Sequence, residues 1–358
     1  MFSLKTISQG QFRLHWQGML CDYVGAIAWS PDGQILAASS ATGEVVLWQD
    51  NNLMPLQRHQ EYSVDCLAFS HDGQFLAAGG QNGQVSLWQS QAGEFKSVKI
   101  LENSSVWVDR LVWSPTANHL AFSLGRFVQV WDAEADHLET NLGFEESSVL
   151  GIDWHPSGQH LAVSGYQGIK VWHTQDWFAD PEILEVPSAS LAIAWSPDGK
   201  YIASGNLDRT LLVWEWGTTY PWNMHGFPGK VRQLAWSSST SKTGAPFLAS
   251  CSAEGIVVWE KDPDPGVGWR ANVLDYHSAV VPAIAFQPGT FLLASASEDG
   301  RICLWQRAKR LTQILEGAPN GFSGLAWHPQ GHLVAAGGNN GELLIWSHEM
   351  RGQGFGKP

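Results

Sequence analysis

The stretch AWSPDGQILAASSATGEVVLW, from Ala28 to Trp48, returns forty residues later as AFSHDGQFLAAGGQNGQVSLW, from Ala68 to Trp88. An aromatic that ends one apolar run recurs as Trp29, Phe69, Trp113, Trp154, Trp195, Trp236, Phe286 and Trp327. A second tryptophan closes each unit, at Trp48, Trp88, Trp131, Trp172, Trp214, Trp259, Trp305 and Trp346, at intervals of 40 to 46 residues. Eight units therefore fill nearly all of the 358 residues. A period of this length marks one supersecondary block stacked on itself.

Inside each unit, apolar runs of strand length alternate with turn chemistry. SPDG follows Trp29 and Trp195, HPSG follows Trp154, and HPQG follows Trp327. Proline presets a turn dihedral and glycine permits positive φ. A second turn (QNG, EDG or NNG) leads into an alternating stretch such as QVSLW or ELLIW, the period-2 signature of a strand. Each unit reads as strands a, b and c, with a strand d in the link to the next unit.

This pattern resembles the WD-repeat β-propeller family, over roughly residues 12 to 348. The unit YHSAVVPAIAFQPGTFLLASASEDGRICLW carries nearly the whole family signature. There the resemblance implies a hydrogen-bonded tetrad of His277, a serine, Asp299 and Trp305, with Ser297 assigned as the hydroxyl and Ser295 as the alternative. Elsewhere the signature erodes. Asp208 and Trp214 lack an upstream histidine, His59 faces Asn82, and only Trp131 is followed by the family's aspartate, at Asp132.

The expected fold is all-β, an eight-bladed propeller of four-stranded antiparallel blades within residues 1–350, followed by a flexible tail at 351–358. Seven blades plus a stray unit is the alternative. The eighth unit ends at Trp346 with no strand d of its own, and QFRLHWQGML, residues 11–20, is placed as the missing outer strand. That closure removes two exposed sheet edges. Fourteen of the 20 tryptophans occupy the two repeat positions, where large rings fill the wedges between blades.

Composition bounds what such a ring does. With 34 acidic and 21 basic residues, the charge of −13 opposes attraction to phosphate backbones or anionic lipid. Neither nucleic acid nor a membrane is expected as a partner. The start lacks the basic and apolar blocks of a secretory signal, and Cys21, Cys66, Cys251 and Cys303 show no C-x-x-C spacing. A cytoplasmic monomer with reduced thiols is the expectation, and the NSS at Asn103 reads as a polar loop.

Catalytic chemistry finds no motif. Quinone-dependent dehydrogenases also have eight blades and many tryptophans, but Thr42-Gly43 is misplaced relative to Trp48 for their docking motif, so this remains a remote alternative. A metal-binding propeller is the other alternative. His155/His160 and His328/His332 bracket equivalent turns, and His119 falls at the same place in unit three. Recurrence at one position reads as turn decoration, since metal sites need three or four converging donors. Two insertions, Ser237 to Phe247 and Lys261 to Gly268, lack the pattern of a phosphate loop or a calcium loop and read as surface loops. No cofactor, metal or catalytic residue is assigned.

The expectation is a non-enzymatic protein–protein interaction scaffold. In the resembled family, partners dock on the face formed by the d–a and b–c loops. Six and four residues before each repeat aromatic, units one to three present Tyr23, Asp65, Trp107 and Asp109, an aromatic and acidic arc, and unit six presents Lys230 and Arg232. Trp107 stands among polar neighbours where the repeat demands no tryptophan, so it either anchors a partner or caps the blade's core.

Overall fold

The computed structural model describes residues 12–103, 106–145 and 147–348, and among these every regular element is a strand. The Ser-Pro-Asp-Gly turns show how the sequence enforces the hairpins. The Ser30 hydroxyl donates to Asp32 (2.6 Å), the Gln34 N–H donates to the same carboxylate oxygen (3.0 Å), and the Ile35 N–H donates to Ser30 Oγ (3.0 Å). The same turn recurs at Ser70 with Asp72 and at Ser196 with Asp198. Gly33 has φ 76°, and a Cβ there would collide with the His328 ring of the neighbouring unit, so glycine is required twice over.

Strand b is covered on both faces. In unit one Leu36–Ser40 is buried throughout, and in unit two Phe75–Gly80 is as well. Small residues dominate these strands because adjacent blades press on both sides. Apolar clusters fill the seams between units, as with Ala37, Val45, Leu67, Phe69, Leu76 and Trp88 between units one and two. The repeat tryptophans also stitch the seams. The indole N–H of Trp29 donates to Ala326 O (3.2 Å), that of Trp113 to Ala68 O (2.9 Å), that of Trp236 to Ala194 O (3.0 Å) and that of Trp327 to Ala285 O (3.0 Å).

The expected eight separate four-stranded blades do not form. By hydrogen bonding, the described strands make seven blades: six sheets of four strands and one of six, in which units four and five are run together. The cause is local. His160–His173 is one strand of 14 residues whose ends meet through Thr174 N–H to Gln159 O (2.9 Å), so it folds back on itself at Gln167, where φ is 68°. Glu182–Trp195, also 14 residues, pairs first with Lys170 and Val171 and then, through Ala192 to Trp195, with Ile202 to Gly205. No loop separates the outer strand of unit four from the inner strand of unit five. Elsewhere one does, as between Gln57 and Val64. The innermost strands of successive units still follow one another around the axis, and Phe322–Trp327 packs against Val24–Trp29 to complete the ring.

The ring is closed by the chain's beginning. Phe12–Met19 pairs antiparallel with Glu342–His348 and is the outermost strand of that sheet, with Phe12 opposite His348 and Met19 opposite Glu342. Leu20 N–H continues the ladder to Gly341 O (2.8 Å). Gln11 and the tail at 351–358 lie outside the described residues.

Candidate interaction face

The d–a connections, three of them loops and the one into unit five the middle of strand Glu182–Trp195, are tied to the b–c turns by one recurring backbone hydrogen bond. Ala41 N–H donates to Tyr23 O (2.9 Å), Leu207 to Ala189 O (2.9 Å), Glu298 to Val280 O (2.9 Å) and Asn339 to Gly321 O (2.9 Å). The acceptors stand six residues before the repeat aromatics, so these positions share one face. Exposed aromatics gather there: Tyr23, Tyr62, Trp107, Tyr166 and Tyr276, with Phe127 beside them, against Phe178 and Tyr220 on the loops of the opposite face.

Trp107 is 56% exposed, whereas its neighbour Val108 is completely buried. Val108 fills the core between units two and three, which leaves the indole outside. Trp107 is therefore not the cap of the blade's core. On the same loop Asp109 is exposed, and the N–H groups of Asp109 and Arg110 both donate to Ser123 Oγ (3.2 and 3.0 Å).

The acidic groups of this arc feel one another. Burial raises the Asp65 carboxyl above its ordinary range, the Ser63 hydroxyl (2.9 Å) pulls it back, and the Asp109 charge raises it further. Burial likewise raises the Tyr23 phenol, assisted by the charges of Glu298 and Asp65. Glu298, from the b–c turn of unit seven, thus joins Tyr23, Asp65 and Asp109 in one negative field. It was missed in the sequence because only strand-a positions were compared, although it opens the EDG turn in plain view. Lys230 and Arg232 are exposed on either side of buried Val231, three units further round than Asp109.

The tetrad forms with Ser295, not Ser297. His277 Nδ1 lies 3.0 Å from Asp299 Oδ2, its Nε2 lies 2.8 Å from Ser295 Oγ, and the Trp305 indole N–H donates to Ser295 Oγ (2.9 Å). Ser297 Oγ instead donates to Ala279 O (3.1 Å) and accepts the Asp299 N–H (3.1 Å). Two residues along a strand is about 7 Å, which carries Ser297 past the reach of Trp305. Burial works to raise Asp299, but His277 and the Ser278 and Arg301 N–H groups outweigh it and hold the carboxyl below its usual range. The tetrad is a buried strut.

Thiol chemistry finds no support. Burial pushes the Cys66 thiol up to about 12 and raises Cys251 and Cys303 as well, and the Glu44 charge raises exposed Cys21. Nucleophilic cysteines are shifted the other way. The insertion at Ser237 to Phe247 is not a loose loop, since it lengthens a hairpin in which Thr240 pairs with Pro246. In the other insertion, buried Asp262 is ion-paired with Arg270. Among the described residues, one group of side chains brings three potential metal-donor atoms within 4.8 Å of one another: His119, Asp132 and Glu139.

With this geometry in hand, the chain compares as follows. It is similar over part of its length to the chromatin assembly factor 1 subunit FAS2 homolog of Oryza sativa subsp. japonica, at 26% identity over 165 residues, 42% of this chain and 32% of that protein. It is similar to the protein transport protein SEC13 of Chaetomium thermophilum, at 30% identity over 111 residues, 29% of this chain and 35% of that protein. Protein HIR1 of Kluyveromyces lactis matches at 27% over 172 residues, 39% of this chain and 19% of that protein. The chain thus spans about a third or less of the length of these relatives. The WD40 family, described as WD domain, G-beta repeat, matches residues 10–49, 51–89, 138–173, 185–215, 268–306 and 309–347. Those six segments make up more than half of the chain, and each ends one residue after a repeat tryptophan, so the chain belongs to the WD-repeat family of β-propellers.

Proposed function

We propose that this protein is a non-enzymatic interaction scaffold that docks a basic protein segment on the face of the d–a and b–c loops, at Tyr23, Asp65, Trp107 and Asp109. The observation that carries the proposal is Trp107, a large apolar ring more than half exposed beside a shared negative field. An aromatic anchor bordered by charge is the usual anatomy of a binding hot spot. The relatives support the class, since their names speak of chromatin assembly and protein transport. Four unpaired thiols support a reducing compartment, and we place the protein in the cytoplasm. Lys230 and Arg232 form a separate basic arc that repels the same partner segment and so helps fix its direction.

The test compares partner capture by the wild type and by Trp107→Ala. Truncation is expected to weaken binding by about 2 kcal/mol or more, as for a central aromatic anchor, with the melting temperature unchanged within about a degree. Proteins retained equally by both baits would remove Trp107 from the docking surface.

A further inference from the structure

On the opposite rim from that face, three adjacent strands of unit three bring metal-ligating side chains together. His119 and Asp132 are cross-strand partners, and Asp132 is in turn the partner of His137. Side chains directly opposite in an antiparallel pair share a face of the sheet. The ladder between Phe127–Asp132 and His137–Gly143 then slips, because Val130 pairs with Thr140 and Trp131 with Leu138. Glu139 is the extra residue, and a bulge of this kind re-aims its side chain.

The outcome is convergence. One donor atom from each of His119, Asp132 and Glu139 lies within 4.8 Å of the others, and His119 Nε2 is 3.5 Å from Asp132 Oδ2. In a tetrahedral site with bonds of about 2.0–2.2 Å, donor atoms stand roughly 3.3–3.5 Å apart. The His119–Asp132 edge is already at that spacing. The two edges to Glu139 are at most 4.8 Å, so they need no more than about 1.5 Å of closure, within the reach of a glutamate side chain.

The carboxylates are oriented before any ion arrives. Asp132 Oδ1 accepts the N–H groups of Glu134 (2.8 Å) and Ala135 (2.9 Å), which turns Oδ2 toward His119. His137 Nε2 lies 3.1 Å from Glu139 Oε1 and steadies the second carboxylate, as outer-shell partners of metal ligands do. The side chains of His119, Asp132 and Glu139 are 30%, 18% and 28% exposed, so solvent can reach the site and complete a coordination shell. One imidazole and two carboxylates make a neutral complex with a dication, and the nitrogen donor disfavours Ca2+ and Mg2+.

We propose that His119, Asp132 and Glu139 form a binding site for a divalent transition-metal ion of the zinc type, completed by water and steadied by His137. Recurrence at equivalent turns disguised His119 as decoration. What distinguishes unit three is the pair of carboxylates on the next two strands.

The test is calorimetric titration of metal-stripped, untagged full-length protein with Zn2+, and with Mg2+ as a control, alongside His119→Ala, Glu139→Gln and His328→Ala. Saturation at one Zn2+ per chain is expected, weakened about tenfold or more by His119→Ala and by Glu139→Gln, unchanged by His328→Ala, and without response to Mg2+. Thermal unfolding checks that each variant folds, and Glu139→Gln, which replaces a partly exposed bulge residue, stands in should His119→Ala not fold. Co2+ provides a second readout, as absorption bands of the bound ion whose saturation Glu139→Gln shifts to about tenfold higher Co2+ or more. Absence of saturable uptake by the wild type, or equal uptake by Glu139→Gln, would overturn the site.

Discussion

Two serines two residues apart show what a single side chain settles. Ser295 and Ser297 have the same strand parity, so alternation could not separate them. Only the distance to Trp305 does, and Ser295 alone bridges His277 and the indole. Ser295→Ala should therefore cost about 1–3 kcal/mol in chemical denaturation, because it leaves two buried polar groups unpaired, and Ser297→Ala noticeably less. Similar costs for both would mean that the tetrad is shared. Asp153 is the second instructive residue. It replaces the alanine that precedes the aromatic in most units, and its Oδ2 accepts the Trp195 N–H at 2.7 Å while the Trp195 indole N–H is buried without a partner. Burial pushes the Asp153 carboxyl up to about 7 from an ordinary 3.8. The folded state thus holds this proton more tightly than the unfolded state, so its contribution is complete below pH 3.8 and is lost as pH rises through about 7. Asp153→Asn, which keeps an acceptor for Trp195, should gain stability relative to wild type as pH rises from about 5 to 8, by on the order of 1 kcal/mol or more. A gain that is flat with pH would show that Asp153 is not the titrating group.

Strands were readable where turn residues punctuate them and unreadable where they do not. Between Trp172 and Trp195 the stretch EILEVPSASLAIAW contains no Gly, Asn or Asp to break the chain, and Pro187 is compatible with extended backbone. Units four and five accordingly share a sheet, and periodicity, which counts repeats, is blind to whether hydrogen bonding stops between them. The first strand was legible from its own residues: QFRLHWQGML resembles other outer strands such as RLTQILEG, and it pairs with Glu342–His348. Phe12 and Leu20, each 3% exposed, anchor that strand at its two ends. Removing residues 1–20 should lower the melting temperature by several degrees and promote aggregation through the bared edge of Glu342–His348, measured by light scattering on heating. A truncated chain as stable and soluble as the full one would mean that this pairing contributes nothing.

At the scale of the whole molecule, charge and shape divide the ring into two unlike faces. The d–a and b–c face gathers the exposed aromatics and the Tyr23, Asp65, Asp109 and Glu298 field, and the opposite rim carries the His119 cluster. Which residues share a face was legible from repeat phase, since the positions six and four before each aromatic could be read off the sequence, whereas docking on that face is implied only by the family resemblance. That Trp107 is exposed was not legible, because nothing in VWVDR tells which of two adjacent apolar residues turns inward. Hydrogen exchange of the protein with and without its captured partner tests the docking face most directly. Slower exchange is expected in residues 20–25, 58–66, 106–110 and 297–300, with residues 174–181 and 216–221 unaffected. Protection confined to 174–181 and 216–221 would place the partner on the other face and contradict the assignment.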